Sequence, residues 1–266
     1  MRYIVDNDLH IHTYLSLCSK DEKQNPGAIL DYAKSNNFKR VCITDHYWDS
    51  AVPCNTAVNW WYEAQGYDHI SECLPLPKDS NVKFMFGCEA DMDSDNRIGL
   101  PASRYNDFDF IIVSTTHFHH MGGGEWEDNS NKAIASRWIK RMYAVLESNL
   151  PFKKTGIAHP ACYLMNKKSR EDYIETINII KDSEYESIFK TAAEKGIGIE
   201  INAGDFKFSD DEADSVLRMF RIAKENGCKF YLGSDAHHNS QLNSALPLFE
   251  KAIDLLNLKE SDKFIV

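Results

Sequence analysis

The chain has 266 residues, 43% of them apolar and 26% charged, with 13 Gly and 8 Pro, which describes a globular protein long enough to bury a sizeable core. Collagenous, low-complexity and disordered classes are excluded by that composition, and no apolar run approaches the roughly 18 residues of a membrane helix. A net charge of −10 opposes binding of extended nucleic acid, which needs a basic face.

The N-terminus reaches Asp6, Asp8 and His10 without an apolar signal region, so the cytoplasm is the expected compartment. Seven cysteines, odd in number and lacking a CxxC pair, read as mostly buried thiols rather than a disulfide framework.

In chain order, a strand is expected over Tyr3 to Ile11, followed by Asn25-Pro26, a cap with proline at the first helical position, opening a helix through Ala33. Arg40 to Thr44 returns as a strand. Asp49 to Tyr67 is aromatic-rich without periodicity and reads as a long loop on the reactive side, where Trp48, Trp60 and Trp61 suit core or lid packing. A helix follows around Tyr67 to Cys73. Further strands are expected at Val82 to Phe86, Phe108 to Ser114, Thr155 to Ala158, Gly198 to Ile201 and Lys229 to Gly233. Helices are expected at Asn131 to Ser148, Glu171 to Lys195, Asp211 to Asn226 and Gln241 to Leu256.

Alternation of strand and helix predicts parallel strands joined by right-handed crossovers, in an open sheet or a closed barrel. Polar candidates stand at the C-terminal ends of all seven strands rather than at one crevice, which favours a barrel. The expected fold is therefore α/β, a distorted seven-stranded (β/α)7 barrel, with residues 1–266 as a single domain because no linker interrupts them.

Those strand ends read LHIHT, ITDH, GCEAD, STTH, GIAHP, IEINAG and LGSDAH. His10 and His12 alternate with Ile11, so both imidazoles point to one side of the strand and make half of a zinc or manganese site. Asp8 is expected to orient a ligating imidazole. Glu89 is a carboxylate whose burial demands a counter-charge, and its two oxygens can bridge two ions. His117 and His159 end strands and suit the second ion. Asp235 and His237 repeat the pairing at the far end of the chain, and barrel closure brings them beside His10 and His12. Asp45-His46 adds a further pair, with Cys18 and Asp21 as rival ligands in the loop after the first motif. His119 and His120, beside Gly122 to Gly124, read as mobile loop histidines, and that glycine run lacks the strand-to-helix junction of a phosphate cradle. No GxSxG elbow, Walker loop or GxGxxG is present.

The ordered set HxH, TDH, GxEAD, TTH, AHP, EIN and GSDAH, spanning Asp8 to His237, resembles the PHP (polymerase and histidinol phosphatase) superfamily of metal-dependent phosphoesterases. The resemblance implies two or three divalent ions, Zn, Mn or Fe. One would be held by His10, His12, Glu89 and Asp235, a second by Glu89, His117 and His159, and a third by His46 and His237. The third ion's remaining ligand, usually histidine, falls on Cys18, which leaves Cys18 and Asp21 as the alternatives.

STTHF, GCEADM and IEINAG are most similar to the histidinol-phosphatase branch. The implied reaction is hydrolysis of a small phosphate monoester by a metal-bridged hydroxide, with Glu89, Asp235 and His237 as the catalytic set and Lys167, Lys168 and Arg170 as phosphate-holding candidates against their reading as a solvated helix start. Alternatives are a nuclease or nucleotide phosphoesterase of the same superfamily and a non-catalytic metal-binding regulatory domain. An amidohydrolase type shares HxH and a late Asp but expects a lysine at a middle strand end, and none is found.

Overall fold

Parallel strands sandwiched between other layers must be apolar on both faces, and the runs Phe110–Ser114 and Gly198–Asn202 are buried at every position. The computed structural model describes residues 1–121 and 126–266; Gly122 to Gly124 lie outside the described residues. Its strands are β1 (Asn7–Ile11), β2 (Arg40–Ile43), β3 (His46–Tyr47), β4 (Lys83–Ala90), β5 (Phe110–Ser114), β6 (Thr155–Ala158), β7 (Gly198–Asn202) and β8 (Lys229–Gly233).

The sheet order is β1-β2-β4-β5-β6-β7-β8, all parallel, with β3 also beside β4. β2 pairs the first half of β4 (Ile43 with Phe86) and β3 the second half (His46 with Glu89), so the two occupy one position of a seven-position barrel. Closure between β8 and β1 comes from two backbone bonds at the C-terminal end, Asp235 N to His10 O (2.8 Å) and His12 N to Ala236 O (3.1 Å). Lower down, side chains replace the ladder: Asn7 Oδ1 accepts from Leu232 N and Asp8 Oδ1 from Ser234 N. The result is a nearly closed, distorted seven-stranded barrel, as the alternation predicts.

Its interior is packed by Leu9, Cys42, Met85, Phe110 and Tyr231, with Phe264 beneath. Gly156 makes room for this core, since a Cβ there would stand 2.4 Å from the Tyr231 ring. The helices begin with α1 (Pro26–Ser35), α2 (Asn59–Glu63) and α3 (Tyr67–Ile70), and a larger apolar layer joins the barrel to α4 (Asn131–Glu147), α5 (Arg170–Ile179), α6 (Asp182–Lys195), α7 (Ala213–Glu225) and α8 (Leu246–Leu256). In α7 the buried set Val216, Leu217, Met219, Phe220, Ile222 and Ala223 follows the period of one helix face.

Three expectations are corrected. The first strand starts at Asn7 rather than Tyr3, because Tyr3 is buried elsewhere with its hydroxyl donating to Phe230 O. The helix expected over Glu171 to Lys195 is two, α5 and α6, broken at Ile180 and Lys181, whose backbones are extended. The break is tolerated because Arg218 donates to the Ile177 and Ile180 carbonyls and the Tyr185 hydroxyl to the Ile177 carbonyl. Within Asp49 to Tyr67 a short helix, Asn59–Glu63, interrupts the expected loop.

Candidate metal centre

β-strand alternation places His10 and His12 on one side, and both are fully buried with their Nε2 atoms 3.0 Å apart. Two ring nitrogens aimed at the same point need either a shared proton or a shared cation. Glu89, near the end of β4, stands opposite. Its Oε2 lies 3.4 Å from His10 Nε2, 3.3 Å from His12 Nε2 and 3.3 Å from His46 Nδ1. Its Oε1 lies 2.9 Å from His159 Nε2 and 3.8 Å from His117 Nε2. Asp235 Oδ1 completes the first side, 3.4 Å from His10 and 3.2 Å from His12.

The donors present fit divalent metal. Glu89 Oε2 is buried yet receives no hydrogen bond among the described residues, and an orphaned carboxylate oxygen is expensive unless a cation neutralises it. Ligand atoms within 4.8 Å of one another form the sets His10, Glu89, His159; His10, His12, Asp235; His46, Asp91, His117; and His12, Cys18, His46, His237. A mixed imidazole and carboxylate set of this kind suits zinc, manganese or iron.

Electrostatics agree. Burial alone would lift the Glu89 and Asp235 carboxyls, but His46 and His10 around Glu89, and His10 and His12 beside Asp235, hold both well below the ordinary carboxylate range. Burial likewise opposes charge on His12, but Asp235 and Glu89 raise it to about 9. This pocket of ionised carboxylates therefore draws in positive charge.

Each of these imidazoles is held at its Nδ1, which for His46 is also the nitrogen near Glu89 Oε2. His10 Nδ1 bonds Glu200 Oε1 (2.9 Å), His12 Nδ1 bonds Ser16 Oγ (2.8 Å), and Ser16 donates in turn to Asp45. Asp91 serves His46 Nδ1 (3.0 Å) and His117 Nδ1 (2.9 Å), Thr116 Oγ1 serves His159 Nδ1 (2.8 Å), and the Asp235 carbonyl serves His237 Nδ1 (2.8 Å). Such partners select the tautomer and hold the ring. Asp235 (φ 53°) and His159 (φ 28°) sit in left-handed backbone, and strain of this kind gathers at functional sites.

The expected role of Asp8 is corrected: it touches no imidazole but accepts from Ser234 N (2.9 Å) and the Tyr32 hydroxyl (3.2 Å). The orienters are Glu200, Asp91, Ser16 and Thr116, which sequence reasoning left without a role. A usable signal was Glu200 between Ile199 and Ile201, since a carboxylate inside an apolar strand must have a partner.

Asp21 is held apart from the centre, by the Asn239 and Lys23 backbone amides and by His238; Cys18 is the residue brought to His46 and His237. Burial would raise the Cys18 thiol, but His46 and His237 bring it down to about 6.

His119 and His120, expected as free loop residues, instead pack 5.5 and 5.8 Å from the His117 ring, and His120 also meets Trp61 (4.8 Å). Burial, and then the neighbouring His117, lower them to about 2 and about 4, so both are neutral at pH 7. Trp61 meets His46 edge-on at 4.9 Å, whereas Trp48 is core and Trp60 is exposed. Arg170 is committed to both oxygens of Glu212 (2.7 and 3.0 Å), and Lys168 to Asn129 O and Asn131 Oδ1. Lys167 and Lys168 line a cavity of about 360 Å³ together with Phe118, His119 and Trp126.

One position tests the orientation scheme sterically. A Cβ on Gly233 would stand 1.7 Å from Glu200 Oε1 and 2.7 Å from His10 Cβ. Gly233→Ala is expected to lower stability by about 1–3 kcal/mol, seen as a fall of several degrees in the thermal midpoint, with weaker metal retention. An unchanged midpoint and metal content would contradict the packing.

Among known proteins, residues 8–204 match the PHP domain family. A probable phosphatase of Caldicellulosiruptor saccharolyticus is 25% identical over 211 residues, covering 79% of this chain and 72% of that one. A probable phosphatase of Aliivibrio fischeri is 25% identical over 238 residues, covering 86% and 77%. The crystal structure of a histidinol phosphate phosphatase from Lactococcus lactis, complexed with zinc, L-histidinol and phosphate, shares the fold at a TM-score of 0.54, with 15% identity and 93% of each chain covered. No helix among the described residues is long and apolar enough to cross a membrane. With a family match over most of its length, the chain belongs to the PHP domain family of phosphoesterases.

Proposed function

We propose that this protein hydrolyses a small-molecule phosphate monoester with two or three divalent ions, Zn, Mn or Fe, and that residues 1–266 act as one domain, since β1 and β8 both contribute to the centre. The single observation that carries this reading is Glu89, whose two oxygens face two different histidine sets. His10, His12 and Asp235 lie on one side of it, His117 and His159 on the other. Divalent ions bound there supply Lewis acidity that activates water and neutralises phosphoryl oxygens.

The chain's own part is positioning. Glu200, Ser16, Asp91 and Thr116 hold the imidazoles so that no reorganisation is needed during reaction. Asp235 is kept ionised by His10 and His12, which suits charge neutralisation better than proton delivery. The side chains of Asp235 and His237 are 24% and 29% exposed, marking the edge where the leaving group meets water. Of the three basic candidates, Lys167 is the one we retain for phosphate, because Arg170 and Lys168 are tied to other groups.

Histidinol phosphate is the first substrate to test, on the branch resemblance of STTHF, GCEADM and IEINAG and on the ligand of the Lactococcus structure. Protein stripped by chelation and reloaded with Mn²⁺ or Zn²⁺ is assayed for phosphate release from histidinol phosphate, sugar phosphates, nucleoside monophosphates and p-nitrophenyl phosphate. Metal-dependent release from at least one monoester is expected, and strong preference for histidinol phosphate would assign the branch. Failure with every monoester and both metals would sink the reading.

A further inference from the structure

Cys18, His46 and His237 converge at the barrel mouth with His12 behind them, one ligand atom of each lying within 4.8 Å of the others. The Nδ1 atoms of His46 and His237 are taken by Asp91 and the Asp235 carbonyl, which leaves their Nε2 atoms for the side shared with Cys18, whereas His12 Nε2 also faces His10, Glu89 and Asp235. The His12 and His237 rings stack at 4.1 Å and those of His12 and His46 stand 4.8 Å apart, so the three are held as a packed group. This set contains no carboxylate, whereas those built on Glu89 and Asp235 do.

We propose that Cys18 makes this corner a nitrogen–sulfur site that selects zinc over manganese, so that the chain offers two chemically different kinds of metal position. The inference rests on the metal-dependent reading above and adds to it which ion goes where. Thiolate sulfur is a soft donor that favours zinc, while carboxylate oxygen also accepts harder ions such as manganese. Tetrahedral zinc with sulfur at about 2.3 Å and nitrogen at about 2.0–2.1 Å keeps its donors roughly 3.3–3.6 Å apart, inside the 4.8 Å within which these ligand atoms lie. Asp21, the oxygen donor that would remove this preference, is committed to Asn239, Lys23 and His238. Cys18 is also exposed, so a thiol reagent reaches it unless an ion covers the sulfur.

The test uses cobalt(II) as a spectroscopic stand-in for zinc on the full chain. Cobalt-loaded wild type is expected to show a thiolate-to-cobalt charge-transfer band that zinc abolishes, and roughly one equivalent of zinc should survive dialysis against excess Mn²⁺. Cys18→Ser should lose both the band and that zinc. Cys18→His should lose the band yet still take up an ion there, which separates a lost ligand from a damaged fold. Iodoacetamide labelling of the Cys18 peptide should slow more than about tenfold with zinc but little with manganese. Absence of the band in folded, cobalt-saturated wild type, or equal zinc retention by Cys18→Ser, would overturn the proposal. Phosphate release without the band refutes this inference alone, and the band without hydrolysis of any ester refutes only the proposed function.

Discussion

Glu89→Gln is expected to lower phosphate release by about a thousandfold or more while the barrel stays folded. The carboxylate presents one oxygen to His10, His12 and His46 and the other to His159 and His117. Glutamine keeps the shape but carries no charge, so both sides lose the anionic donor; one side keeps a neutral carbonyl oxygen and the other meets an NH₂ that cannot ligate. Charge stabilisation by a metal pair amounts to several kcal/mol, and each 1.36 kcal/mol is tenfold in rate. Initial rates at saturating Mn²⁺, elemental analysis and far-ultraviolet circular dichroism together check this. Retention of more than about a tenth of the wild-type rate would overturn the proposed role of Glu89 as a ligand between the two histidine sets.

Glu200→Gln is expected to weaken metal affinity about 10–100-fold while leaving turnover at saturating metal largely intact. Glu200 Oε1 accepts from His10 Nδ1 and Oε2 from the His159 backbone amide, so a single carboxylate positions a histidine on each side of Glu89. A glutamine oxygen can serve one of these donors, and its NH₂ then faces the other. Metal titration of activity separates this from general damage: a positioning role moves the midpoint to higher metal concentration, whereas a merely structural role lowers the plateau. A midpoint unchanged from wild type would refute the assignment.

Much of the centre is legible in the sequence because a strand has a period of two and ends at a defined rim. His10 and His12 share a face by spacing alone, and His46, Glu89, His117, His159 and Asp235 each follow or end an apolar run. The orienting groups were less legible. Asp8 looked like a partner for His10 because it is near in sequence, but the His10 Nδ1 is met from β7, 190 residues away, by Glu200. Asp8 lies one layer lower, where it fastens β8 to β1 through Ser234 N and meets Tyr32. His119 and His120 were misread for a related reason: a glycine-rich neighbourhood suggests freedom, while their rings pack against His117 and His120 meets Trp61. The break between α5 and α6 escaped the periodicity because its carbonyls are satisfied by Arg218 and Tyr185, residues whose reach is tertiary.

By itself the sequence determined the α/β class, the seven-strand alternation and the histidine and carboxylate set at the strand ends, all of which follow from local period and residue chemistry. Tertiary structure alone decided that Glu89 faces two histidine sets, that Cys18 rather than Asp21 joins His46 and His237, and that Glu200 and Asp91 orient the rings. The physical reason is convergence across the barrel: Glu89 and His159 are 70 residues apart and 2.9 Å from contact to contact, a pairing set by which strands become neighbours on closure rather than by any spacing along the chain.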